Sequence, residues 1–218
     1  ADRLLNLAEE ARQAVSRTPP RGVLRLGSLE ATSASRLPQV LAAFHRAYPE
    51  VQVRLTTGTN DALTAAVAQR RLDAAFVAER PSSREFEHQA LFEEELVLIS
   101  PADHRPIRTP ADVEGDSVVA FPNGCAYRRV LLRWLGDRRL PTVRVMEVGS
   151  YHAIVACVAS GAGVAVMPES VLATMPDLPV RRHALPRVHA RIVTPLIWRT
   201  GERTPALQAL QDLLRPVP

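Results

Sequence analysis

The chain has 218 residues, enough for one large domain or two small ones and too many for a peptide-sized module. Hydrophobic residues make up 46% and charged residues 23%, the balance of a globular chain that buries its own core, which excludes a disordered or fibrous polypeptide. The net charge of +4 comes from 27 basic residues, all arginine, against 23 acids, and it arises in residues 99–192, where 12 arginines meet 8 acids. A basic balance hints at an anionic partner, but no run of five like charges forms a nucleic-acid stripe. The densest clusters are pairs such as Arg70–Arg71, Arg128–Arg129, Arg138–Arg139 and Arg181–Arg182.

Residues 2–17 place Leu4, Leu7, Ala8, Ala11 and Val15 at helical spacing and stop at Thr18-Pro19-Pro20, which predicts a connecting arm. After Gly22 strand and helix signals alternate. Val23–Gly27 reads as a strand, Ser28–Ser35 as a small polar stretch, Pro38–Tyr48 as a helix and Val51–Thr57 as a strand. Ala62–Arg71 follows as a helix behind the cap residues Thr59, Asn60 and Asp61, then Asp73–Ala78 as a buried parallel strand. Glu95–Ile99 supplies a further strand.

The second half repeats the theme. Ser117–Phe121 and Val143–Val148 read as strands, Ala126–Leu135 as an amphipathic helix, and a second helix runs from Ser150 to about Ala159. Val164–Met167 is a short buried strand, Leu185 and Arg191–Trp198 supply late strands, and Pro205–Leu214 closes as a helix. This alternation predicts an α/β chain with parallel sheets, in two subdomains.

Two cysteines 32 residues apart, without CxxC or a neighbouring histidine at ligand spacing, predict neither a disulfide framework nor a zinc site and fit a reducing compartment. The first residues lack a basic start and an apolar run. The longest uncharged apolar stretch, Ala153–Pro168, is too short to span a bilayer, so a cytoplasmic chain with no membrane partner is expected.

In α/β sheets ligands bind at the carboxyl ends of strands, where helix N-termini aim free N–H groups. Ser28 and Glu30 follow the first strand, Thr57 and Thr59 the second, and Glu79 the third. In the second half Cys125, Tyr127 and Arg128 follow one strand, Ser150 and His152 another, and Met167 a third. Each Ser or Thr is equally well a helix cap, so their repetition at strand ends carries the reading. Glu30 and Glu79 could form an acid/base pair, but nothing fixes their separation. No GxSxG, Walker loop or HExxH occurs, and Gly161-Ala162-Gly163 precedes a strand where a dinucleotide fingerprint would follow one, so no catalytic residue, cofactor or metal is expected. Cys125 stands before a helix with arginines beside it, which could lower its thiol pKa and suit redox sensing, or it is a turn residue; Cys157 reads as core.

The order of Arg21-Gly22-Val23-Leu24-Arg25-Leu26-Gly27, Leu37-Pro38, Tyr48-Pro49-Glu50-Val51 and Leu72-Asp73-Ala74-Ala75-Phe76, with Val97–His104 and Val158–Pro168, resembles the effector-binding domain of LysR-type transcriptional regulators. The resemblance implies a periplasmic-binding-protein-like fold of type II, two Rossmann-like subdomains joined by a hinge. It assigns residues 1–20 to the end of a linker helix and its connector, 21–101 with 192–218 to one subdomain, and 102–191 to the other. It implies a small-molecule effector in the cleft between the subdomains and no enzyme activity. DNA would be contacted only through an amino-terminal winged helix-turn-helix outside this sequence, with a homodimer here and a tetramer in the whole regulator. Ligand contacts would fall at Ser28, Glu30, Thr57, Thr59, Cys125, Tyr127, Arg128 and Ser150. An acid at Glu30 repels a carboxylate effector unless Arg128 compensates, so a zwitterionic or amine-bearing metabolite is expected. A solute-binding protein, an enzyme on the same fold and a redox regulator using Cys125 are the rivals.

Overall fold

A computed structural model of the chain describes residues 19–136, 143–175 and 178–214, so the helix expected over 2–17 lies outside the described residues. Its strands are β1 Gly22–Ser28, β2 Val51–Thr57, β3 Ala74–Phe76, β4 Phe86–Pro101, β5 Ser117–Ala120, β6 Arg144–Glu147, β7 Ala165–Pro168, β8 Val180–Ala184 and β9 Arg191–Arg199. The chain divides into two compact units. The first ends at Phe92 and resumes at Thr194, and the second is Glu93–Val193.

In the first unit β1 lies between β2 and β3, parallel to both, and β3 pairs antiparallel with β9. Alternation along these strands sorts side chains to two faces. Leu24, Leu26, Phe76, Leu196 and Trp198 pack with Leu37 and Phe44 of the helix Leu37–Ala47 and with Leu207 and Leu210 of the helix Pro205–Leu214. Ala75, Val77 and Ile197 face the other way, onto Leu63, Ala66 and Val67 of the helix Asn60–Ala68. With both faces covered, each fully buried Leu or Phe contributes about 1.5–3 kcal/mol. Gly27 sets how close the second layer lies, since a Cβ there would stand 2.6 Å from Leu72 Cδ1 and 2.7 Å from Leu63 Cδ2.

One charged residue interrupts this apolar frame. Arg25 lies in β1, and Asp73, just before β3, answers it. Asp73 Oδ2 accepts the Arg25 backbone N–H at 2.7 Å, Oδ1 accepts from the guanidinium at 2.5 Å, and the Asp73 N–H donates to Arg25 O at 2.8 Å. The carboxylate thus takes the place of a carbonyl where the β1–β3 ladder has run out of strand.

In the second unit the carboxyl half of β4 runs between β7 and β8, antiparallel to both. β5 and β6 pair in parallel, and Val118 bridges to Val164. The helix Ala126–Leu135 buries Ala126, Tyr127, Val130, Leu131, Trp134 and Leu135, one stripe at helical spacing. The helix Tyr151–Ala159 ends in a Schellman motif, with Ala162 N–H on Cys157 O and Gly161 N–H on Val158 O. Gly163 then takes φ +141°, where a Cβ would lie 2.3 Å from Ser117 O, so only glycine permits the approach that lets Val164 join β5. The Gly161-Ala162-Gly163 stretch is a helix stop and a close backbone contact.

Several expectations change. β3 pairs antiparallel with β9, and β4 antiparallel with β7 and β8, where parallel sheets were expected, because two-residue alternation carries no direction. Residues 30–35, expected as a polar stretch, form a short helix, and β4 spans 16 residues where five were expected. The late strand expected at Leu185 lies just before it, as β8, and the four-residue helices Glu169–Leu172 and Arg187–Ala190 were not foreseen.

Candidate functional site

Parallel register collects the ends of the first unit's strands. Ser28 at the end of β1 pairs with Thr57 at the end of β2 and with Phe76 at the end of β3, so the chain leaves all three strands on one edge. Ser28 is fully buried, its hydroxyl turned to Leu29 O at 3.0 Å, while its own carbonyl accepts the Gly58 N–H at 3.2 Å. Glu30 stands in the first turn of the helix Glu30–Ser35. Thr57 is exposed, and Thr59 caps the helix Asn60–Ala68, accepting the Ala62 N–H at 3.4 Å.

The residue that ties this edge together is absent from the expected site. Asn60 is 9% exposed, and its Oδ1 accepts both the Ala78 N–H at 3.0 Å and the Glu79 N–H at 3.1 Å. These two bonds fix the turn after β3, and with it Glu79, to the start of the helix. An Asn directly after a Gly-Thr cap pair was the available signal, and it reads as an ordinary cap until the third strand is in place.

In the second unit β5 and β6 end side by side, Ala120 opposite Glu147. Val119, Ala120, Phe121, Cys125, Tyr127, Arg128, Leu131, Ile154 and Val166 line a small open recess of about 10 Å³, room for about one water molecule. Three expected residues, Cys125, Tyr127 and Arg128, meet there. Tyr151 joins from the next helix, its ring 4.5 Å from Phe121 and 6.2 Å from Tyr127. Ser150 is the N-cap of that helix, but its side chain makes no cap hydrogen bond. Met167 is fully buried in β7, in register with Val97, and the pocket is reached by its neighbour Val166 instead.

The electrostatics of this pocket differ from expectation in two ways. Arg128, expected to meet a ligand anion, donates from Nη1 to Glu147 Oε1 at 2.5 Å and to Phe121 O at 3.2 Å, with its side chain 12% exposed. Its charge already has a counter-ion, and only Nε is buried without a hydrogen-bond partner. The Cys125 thiol is pushed up from its ordinary pKa. Burial outweighs the Arg128 and Tyr127 backbone N–H groups and the Arg129 and Arg128 charges, which act in the opposite sense. A raised pKa leaves less thiolate at half-buried Cys125 than at a free cysteine, which weighs against redox sensing there. Among the described residues no cluster of three or more His, Cys, Asp or Glu is placed to hold a metal, and no helix is long and apolar enough to cross a membrane.

Residues 17–217 match the LysR substrate binding domain family. The HTH-type transcriptional regulator GltR of Bacillus subtilis is 33% identical over 218 residues, covering 99% of this chain and 74% of that protein. The HTH-type transcriptional regulator SoxR of an Arthrobacter species is 31% identical over 91% of this chain and 68% of its own length. Among solved structures, a full-length OxyR variant from Pseudomonas aeruginosa superposes with TM-score 0.80 at 20% identity, covering 98% of this chain and 77% of that one. The effector binding domain of a BenM variant does so with TM-score 0.75 at 19% identity over 88% and 93%. These likenesses give the fold, mixed α/β of the periplasmic-binding-protein-like kind. With the match running from residue 17 to residue 217, the chain belongs to the LysR substrate binding domain family.

Proposed function

We propose that this chain senses a small polar metabolite for a bacterial transcriptional regulator, and that the strand-end residues of its two units make the contacts. The observation that carries the reading is the family match over nearly the whole chain, to relatives that are HTH-type transcriptional regulators. In the first unit the contacts assigned are Ser28, Glu30, Thr57, Thr59 and Glu79, positioned by Asn60. In the second they are Cys125, Tyr127, Arg128 and Ser150, with Met167 behind them. DNA contact belongs to an amino-terminal domain outside this sequence. The regulator works in the cytoplasm as an assembly of identical chains, and the domain turns over no substrate. A ligand acts only through its differential affinity for two arrangements of the protein, typically about 1–3 kcal/mol of coupling.

Thermal-shift screening against amino acids, short dicarboxylates and aromatic acids tests this. A compound at about 100 times its Kd stabilises by about 2.7 kcal/mol. Thr59→Val and Arg128→Ala are expected to weaken a hit at least tenfold in calorimetry. Undiminished binding in both variants overturns the site, and chemical conversion of the hit overturns the regulator reading in favour of an enzyme.

A further inference from the structure

Two histidines of the second unit are buried, each 7% exposed, and neither belongs to a strand end named above. His183 on β8 accepts the Ile107 N–H at Nδ1, 3.0 Å away, which leaves its proton on Nε2, facing Ser100 Oγ at 2.8 Å. The Ser100 hydroxyl donates onward to Pro101 O at 3.1 Å. His104 repeats the arrangement with its nitrogens exchanged. Nε2 accepts the Glu114 N–H at 3.1 Å and Nδ1 donates to Arg105 O at 2.7 Å. The ring centroids lie 6.4 Å apart, edge to face. The His183 imidazole is neutral in this arrangement, because a second ring proton would point at the Ile107 N–H.

The surroundings offer a His183 imidazolium nothing in exchange, and the Glu114 carboxylate acts on His104 instead. Among the described residues no carboxylate hydrogen-bonds either ring. Arg181 donates to His104 O at 2.7 Å and adds positive charge, and Arg182, also on β8, pairs with Glu169. Arg105 and Glu114 pair with each other at 2.8 Å on the surface. β4 carries no charged side chain between Leu96 and Pro101, and the helix packed on β8, Tyr151–Ala159, brings only Tyr151, His152 and Cys157 as titratable groups. Burial lowers the His183 pKa, and the charges of His104 and Arg181 act in the same direction.

We propose that His183 is the acid-released catch of a clasp, shared with His104, that fastens the segment from Pro101 to Glu114 onto β4 and β8. A base whose pKa is lowered in the closed form takes up its proton when the clasp opens. The clasp is therefore at full strength above the ordinary histidine value of 6.5 and weakens as pH falls below it, by at most about tenfold in the closed-to-open ratio per pH unit.

Amide hydrogen exchange at pH 7.5 and 5.5, corrected for the intrinsic exchange rate, tests the clasp. Protection of the Ile107 amide is expected to fall several-fold, up to about tenfold, at the lower pH, while Val119, bonded to Val164 O at 2.9 Å, keeps its own. His183→Asn retains an acceptor for Ile107 without a titrating ring, and Ile107 protection in that variant is expected to stop responding to pH. Unchanged protection of Ile107 in the wild type overturns the proposal. So does an equal loss at Val119, which would mean that the whole unit loosens in acid.

Discussion

Replacing Asp73 by alanine removes the acceptor for a backbone N–H in β1 together with the counter-ion of Arg25, all at one point of the first unit. The Asp73 side chain is 9% exposed and Arg25 38%, so the two contributions scale differently. A charge-assisted hydrogen bond to the Arg25 N–H at 2.7 Å is worth about 1.5–3 kcal/mol, whereas the half-solvated ion pair adds no more than about 1 kcal/mol. Asp73→Ala is therefore expected to cost about 3 kcal/mol. Asp73→Asn keeps an oxygen for the N–H and is expected to cost about 1 kcal/mol. With a urea slope of about 2–3 kcal/mol per molar, the alanine variant moves the midpoint down by about 1–1.5 M. Trp198 is 2% exposed in the first unit and Trp134 7% exposed in the second, so fluorescence in a Trp134→Phe background follows the affected unit alone. A cost below about 0.5 kcal/mol for alanine, or equal costs for alanine and asparagine, would refute the view that the carboxylate completes the β1–β3 ladder.

Gly163→Ala is expected to cost about 3 kcal/mol or more, because φ +141° is strained for alanine and the 2.3 Å approach to Ser117 O must open the β5 ladder. Thermal unfolding followed at Trp134 should drop by about 6–12 °C, and an unchanged midpoint would contradict the close approach. Cys125 is expected to react with a disulfide reagent at pH 7 more slowly than free cysteine, since burial raises its pKa; faster reaction would restore the thiolate reading. The Glu87 pKa is lowered, first by the Gly201 backbone N–H and then by Arg203, so its contribution to stability is complete above 4.5 and is lost as pH falls through the lower folded value. Stability measured by urea titration should show the gap between wild type and Glu87→Gln closing below about pH 4.5, and a gap that persists at pH 3 would contradict a lowered Glu87 pKa.

Strands and helices with one apolar stripe were legible from spacing alone. Ala126–Leu135 has the extent expected, and β1, β2 and β6 match within a residue or so at either end, because apolar residues there recur at a 2 or 3.6 period in the sequence. β4 was largely hidden because Glu87, Glu93, Glu94 and Glu95 give its first two thirds a polar surface, and β8 because Arg181 and Arg182 mask a strand in which only His183 is buried. The candidate site was legible to the level of which loops follow which strands. That Asn60 binds the third loop, that Glu147 neutralises Arg128, and that the Cys125 pKa is raised all depend on residues 18 or 19 positions apart or on burial, and a local pattern carries neither.

The two bonds accepted by Asn60 Oδ1 make a single amide the joint between a helix start and the turn after another strand. Thr59 and Glu79 accordingly cannot be adjusted one at a time, for a displacement of one is passed to the other through that amide. Under the proposed function, this edge would act on a ligand as a rigid frame, and new ligand preferences should arise by exchanging side chains on the frame sooner than by reshaping its loops.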